Sequence, residues 1–377
     1  MVDVLSWILY FIAAPFLILL ALVATVLNAT IIASRFYVKS RSSTLEMTYS
    51  LAVSDTLSSI AQAASLFWNS FGPMALGMKH ESWCFSMALE VFRMGFMLTG
   101  VFHIAALAFL HYLRIARPFD HARIISMPKT HVLMIILWIV PTLSMAIYFW
   151  SFPGAGFQAT NCSAGPAGMY FYYNIYFRSL ISIIIVTMMV ATCLIYLRLL
   201  KIVDSVRQKT AGIPMRDHKI SDTSGKSNKS GKTLLSGDTN NFNRGHRTVV
   251  TATIIYGTFL FGWTPACCLF ILTAEGMPLH DAKYSWFGVV FFISMLCMIL
   301  KTITNPIIYA TRIPEVRKFV RQFWKGSLKR KDITDQFTSS RRKSEDDLMK
   351  NNACIVMLQS GKILVFDSPS SLIPAVK

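Results

Sequence analysis

The sequence predicts an all-α membrane protein, a bundle of seven transmembrane helices followed by a short amphipathic eighth helix. Three observations carry this reading. Of 377 residues, 54% are hydrophobic and only 15% charged, with a mean hydropathy of +0.48, a balance that a water-soluble chain of this length does not show. The charges are crowded into a few polar segments, chiefly from about Lys201 to Arg247 and beyond Pro314. Between the polar breaks lie seven apolar runs, each near the roughly 20 residues that a helix needs to cross a bilayer.

Those runs cover about 5–37, 46–69, 84–113, 131–150, 169–201, 248–273 and 285–311. Only Met1 to Leu5 stand before the first, without a basic segment or small-residue cleavage site, so this helix is expected to act as its own signal anchor. Arg35, Lys39 and Arg41 follow the first run, and Arg114, Arg117, Arg123 and Lys129 separate the third from the fourth. Short loops rich in Lys and Arg face the cytoplasm. The expected topology is therefore a multi-pass plasma-membrane protein with its amino terminus outside and its carboxyl terminus inside.

Residues 204–246 are rich in Gly, Ser, Thr, Asn and Lys and lack apolar periodicity, which predicts a flexible third cytoplasmic loop. Pro314 opens PEVRKFVRQFWK, where Val316, Phe319, Val320, Phe323 and Trp324 share one stripe. That is the pattern of an amphipathic helix, about 314–325, lying on the inner membrane surface. The membrane domain thus spans 1–325, and 326–377 is expected to be a mostly disordered cytoplasmic tail.

The net charge of +18 would suit nucleic acid, but the basic residues flank apolar segments, where membrane lipid headgroups are the partner; no nucleic acid is expected. The seven cysteines do not form a disulfide scaffold: Cys193, Cys267, Cys268 and Cys297 lie inside apolar runs and Cys354 in the tail. There is no metal-spaced His cluster, no nucleophile with a base and no half-to-half repeat, so neither an enzyme nor a transporter is favoured, and no cofactor or metal is expected.

Within the runs, Asn28, the LAVSD segment with Leu51, Ala52 and Asp55, Trp138, Phe259, Trp263 and Pro265 in FLFGWTP, and Asn305, Pro306 and Tyr309 in NPIIY occur in a fixed order and depth. In that order they resemble the rhodopsin-like (class A) G-protein-coupled receptors, over nearly the whole chain up to Trp324. The resemblance implies a receptor for an extracellular ligand, with a heterotrimeric G protein, arrestin or both as cytoplasmic partners. It also implies that Trp263 forms the floor of the ligand cavity and repacks against Phe259, swinging the cytoplasmic half of the sixth helix outward. Pro265 and Pro306 remove backbone donors in mid-membrane and make hinges. Trp263 could instead be a large packing residue. Cys84 and Cys162, both on the oxidising side, are expected to form a disulfide. Asn161 begins a glycosylation tripeptide whose centre is Cys162 itself, which disfavours a glycan there without deciding it.

This chain departs from the family at three places. In the family the carboxylate at Asp55 helps to hold sodium, but here Lys301 lies four residues before Asn305, on the same helix face. Lys301 is expected to pair with Asp55 as a built-in cation, or else to be a neutral amine. At the end of the third helix, LHYLRIARP puts Leu110 and His111 where the family has an acid and an Arg, and retains only Tyr112. Arg114, one turn on and on the same face, could supply a substitute cation; without one, the chain would be a receptor-like protein not coupled to G proteins. On the ligand side, Arg93 and Arg178 would suit an anionic ligand held by bidentate bonds, unless Arg93 pairs with Glu90 three residues before it and Arg178 caps or snorkels. In the tail, Ser339, Ser340 and Ser344 are expected phosphorylation sites for arrestin docking.

Overall fold

The computed structural model describes residues 4–38, 42–79, 83–117, 124–162, 170–211, 250, 253–280 and 285–325. Its main helices follow the apolar runs: α1 (Val4–Ser34), α2 (Ser43–Leu66), α3 (Cys84–Ala116), α4 (Met127–Trp150), α5 (Ile175–Ala211), α6 (Thr253–Leu272), α7 (Ser285–Arg312) and α8 (Pro314–Trp324). Six of them, α1 and α3 to α7, are long and apolar enough to cross a membrane. The helix α2 differs because Glu46, Thr48, Ser54, Asp55, Ser58, Ser59 and Gln62 interrupt its apolar run, and all of them are buried.

Helix ends differ from the expected ones for local reasons. Ser42 caps α2 by accepting from the Leu45 amide at 3.3 Å, so the helix begins before 46. At α4, Pro128 sits in the first turn, where its missing N–H costs nothing, and the helix starts at Met127 rather than 131. Asn174 delays α5: its Oδ1 accepts from the amides of Tyr176 and Phe177 at 2.9 and 3.4 Å. The same helix runs past 201 to Ala211, into the segment expected to be loop from 204, because the first helix breakers are Gly212 and Pro214. Two π-turns, Leu9–Ala13 and Phe67–Phe71, stand just before Pro15 and Pro73. A widened turn there accommodates the ring and the missing donor of each proline.

The helix α3 is the central strut, packed against α2, α4 and α5, while α1 packs on α2 and α7. Its buried face includes Val91, Leu98, Val101, Ile104 and Leu107. By contrast α4 turns Val132, Ile135, Ile136, Ile139, Leu143 and Ile147 outward. An apolar outer face with polar groups turned inward is the pattern that hydrocarbon demands.

Residues up to Val320 form one compact unit; Arg321–Lys377 form a second, of which 321–325 are described. At the start of α8, Val316 and Phe319 are buried, and the Phe319 ring lies 5.4 Å from that of Tyr37 beyond α1. Most of the expected loop 204–246, the start of the sixth run at 248–249 and 251–252, and the tail 326–377 with Ser339, Ser340 and Ser344 lie outside the described residues.

Candidate ligand cavity and transmission site

Near the middle of the bundle, α2 and α7 bring together three polar side chains. Lys301 Nζ donates to Asp55 Oδ1 at 2.8 Å, and Asn305 Nδ2 donates to Asp55 Oδ2 at 2.7 Å. Asp55 is 3% exposed and Lys301 6%. Both carboxylate oxygens are therefore occupied, one by a full positive charge, which meets the requirement that a buried charge be paired and hydrogen-bonded.

Backbone approach makes room for this pair. A Cβ on Gly262 of α6 would lie 2.8 Å from Lys301 Cβ and 3.2 Å from its Cγ, so only glycine lets the lysine stem pass between α6 and α7. A cavity of about 30 Å³ adjoins the pair, lined by Ser58, Ser59, Gln62 and Trp263 among others. A sodium ion does not fit this donor set, because the ammonium already stands against Oδ1 and would repel a second cation.

Asn28 ties α1 to the same region, its Nδ2 donating to the carbonyls of Ala24 at 2.9 Å and Thr302 at 3.1 Å. Pro306 lies inside α7, and the buried Tyr309 follows it by three residues; the Tyr309 hydroxyl has no hydrogen-bond partner among the described residues. On α6, Tyr256, Phe259 and Trp263 form a buried aromatic column, with ring centroids 6.3 Å apart in each successive pair. Pro265 lies within the continuous helix two residues beyond Trp263.

Trp263 also lines a larger cavity of about 310 Å³ towards the bundle end that carries the disulfide. Its walls are mostly apolar (Met94, Met97, Ile181, Phe287, Phe291, Met298), and its polar lining includes Arg93, Tyr172, Arg178 and His280. Arg93 is engaged with Glu90: its Nε donates to Oε2 at 2.9 Å and its Nη2 to Oε1. Tyr172 completes the cluster, donating to Glu90 Oε1 at 2.6 Å. Tyr172 stands just outside α5, and burial together with the Glu90 carboxylate pushes its phenol above its ordinary range.

Arg178 has no carboxylate partner among the described residues. Its Nε donates to the Tyr172 carbonyl at 2.9 Å, and its Nη1 to the Phe270 carbonyl at 3.0 Å and to Thr273 Oγ1. The rings of Tyr172, Tyr173 and Phe270 surround the guanidinium at 5.1, 4.6 and 4.8 Å. The two arginines thus do not present two open forks: Arg93 follows the alternative pairing with Glu90, and two of the three nitrogens of Arg178 already hold helix ends.

Cys84 and Cys162 are joined, 5.0 Å apart at Cα, which fastens the loop after α4 to the start of α3. Cys162 adopts a left-handed backbone, φ 46°, unusual for a residue other than glycine. At the opposite end of α3, His111 is buried and its Nδ1 has no hydrogen-bond partner among the described residues. Tyr112 is half-buried and Arg114 exposed.

Sequence reasoning missed one network. Ser50 Oγ lies 2.8 Å from His103 Nε2 and accepts from Trp138 Nε1 at 2.9 Å, while His103 Nδ1 meets the Thr99 carbonyl at 2.8 Å. A carbonyl only accepts, so Nδ1 carries the proton, and in the neutral ring Nε2 accepts from Ser50. A histidine inside an apolar helix was the available signal.

The fold and these sites define a multi-pass helical membrane protein with an interior cavity and a buried ion pair beneath it. The family model described as 7 transmembrane receptor (rhodopsin family) matches residues 27–309, and the chain belongs to that family. Members of this receptor family generally couple to G proteins and arrestins. The comparison with curated proteins found no match.

Proposed function

We propose that this chain is a plasma-membrane receptor whose ligand enters the 310 Å³ cavity from outside and whose signal leaves through α6. The observation that carries the reading is that Trp263 lines both that cavity and the small one beside Asp55 and Lys301. A ligand pressing on Trp263 would repack Phe259 and Tyr256 and shift the population towards a packing with the inner half of α6 displaced outward. In this reading α2 is the seventh span, its polar residues facing the bundle. The amino terminus is extracellular, the tail cytoplasmic, and α8 lies on the inner leaflet. Asp55, Lys301, Asn305, Pro306 and Tyr309 form the polar hinge, with Lys301 as a built-in cation in place of sodium. Ser339, Ser340 and Ser344 are the phosphorylation sites that recruit arrestin.

A second reading, a receptor-like protein without G-protein coupling, is favoured by His111, which is buried where the family has an Arg. Arg114 is exposed one turn on and is the substitute cation in the coupled reading. Expressing the intact chain beside His111→Arg and Arg114→Ala, with G-protein and arrestin biosensors, separates the two. Stimulated G-protein activity that falls in Arg114→Ala at equal surface expression establishes coupling through Arg114. Silence relieved only by His111→Arg establishes the uncoupled reading.

A further inference from the structure

Resting on the receptor reading, we infer that the 310 Å³ cavity takes a monoanionic amphiphile, an apolar chain or ring system ending in a single carboxylate or similar anion, with its charge at Arg178. The cavity volume is near the lower limit of small-molecule pockets, roughly 300–1,000 Å³, so the occupant is small. The apolar walls of Met94, Met97, Ile181, Phe287, Phe291 and Met298 fit a hydrocarbon body.

The charge balance sets the head group. Among the described residues, the cavity's polar side holds two guanidiniums, Arg93 and Arg178, against one carboxylate, Glu90. Glu90 is paired with Arg93 and receives the Tyr172 hydroxyl, which leaves Arg178, near enough to feel that carboxylate, without a counter-ion of its own among the described residues. Carbonyl oxygens, Thr273 and three ring faces solvate Arg178 but do not neutralise it. Its Nη2 has no acceptor among the described residues, and neither has Arg93 Nη1. One incoming negative charge neutralises this end of the cavity; a second would have no counter-charge, and an amine would add to the excess. Because Nε and Nη1 of Arg178 are already engaged, the anion meets the remaining nitrogen end-on, not through a fork.

The test uses the full chain in phosphatidylcholine nanodiscs, with decanoate, decanol and decylamine as probes of one chain length, binding being read by thermal shift and by isothermal titration. Decanoate should bind at least tenfold more tightly than decanol, and decylamine most weakly. Arg178→Gln should bring decanoate and decanol within about twofold of each other, and Arg178→Lys should restore part of the preference. Ala266→Phe, which fills the cavity without touching the charge, should abolish binding of both, whereas simple partition into the lipid would be indifferent to it. Equal binding of the three probes, preference for the amine, survival of the carboxylate preference in a folded Arg178→Gln, or indifference to Ala266→Phe would each overturn the inference. If Arg178→Gln does not fold, the probe series on the native chain and Ala266→Phe still decide it. Binding without any biosensor response would reject the signalling reading alone; a biosensor response to another ligand without decanoate preference would reject only this assignment.

Discussion

Lys301 Nζ stands 2.8 Å from Asp55 Oδ1, so a lysine of the seventh helix supplies the positive charge that a buried carboxylate in the second requires. Breaking such a pair from one side leaves an uncompensated charge and costs about 3–5 kcal/mol. Asp55→Asn and Lys301→Met should each lower the melting temperature sharply, and the double variant should be more stable than either single one. Replacing sodium by N-methyl-glucamine should leave the native protein's melting temperature and ligand affinity unchanged, whereas Lys301→Ser should become sodium-dependent. A sodium response in the native chain would defeat the built-in-cation reading.

Gly262 makes that pairing possible. A methyl group there would stand 2.8 Å from Lys301 Cβ, and overpacking of this kind costs about 1–3 kcal/mol. Gly262→Ala is expected to destabilise the purified protein by that amount. Adding Lys301→Ala should not rescue it, because alanine retains the Cβ that is struck; recovery in the double variant would show that the lysine chain, not the helix approach, is the constraint.

Ser50 serves two rings at once, His103 and Trp138. Ser50→Ala strands a nitrogen on each, that of His103 fully buried and that of Trp138 partly so, and a single stranded buried group costs about 1–3 kcal/mol. The loss should appear in thermal unfolding, while Ser50→Thr, which keeps the hydroxyl, should lose less. Equal loss in both variants would point to packing instead.

Tyr172 yields a pH prediction. Its phenol is raised above the ordinary value of 10.0 by burial and by Glu90. Above pH 10 the unfolded chain releases this proton while the folded one keeps it, so unfolding gains and stability falls with rising pH. The contribution is fully present below pH 10. Tyr172→Phe should be less stable at neutral pH, having lost its bond to Glu90, yet should show a shallower alkaline decline; a decline identical to the native protein's would refute the role assigned to Tyr172.

Much of this site was legible in the residues themselves. An ionisable group in an apolar helix needs a partner, and Lys301, one turn before Asn305 on the same helix face, was the partner expected for Asp55 from the family resemblance. Arg93 and Glu90, three residues apart, could be seen as a possible pair but not distinguished from two open guanidiniums. That decision needed Tyr172, which lies in a short helix, Tyr170–Tyr173, just before α5 and reaches Glu90 across 82 residues. The Ser50 network was hidden for the same reason: Ser50, His103 and Trp138 stand on three helices and meet only when α2, α3 and α4 pack.

The sequence alone determined the membrane architecture, because hydrocarbon forbids unpaired backbone groups and so forces each long apolar run into a helix. It also carried the order of motifs that marks the family and the cysteines that could pair. Only the tertiary structure decided which polar groups satisfy one another: that Lys301 reaches Asp55 past Gly262, that Arg93 is held by Glu90, and that Arg178, beside an apolar cavity, has no carboxylate partner among the described residues. Such outcomes depend on distances between helices of a few ångströms, which periodicity along one chain does not encode.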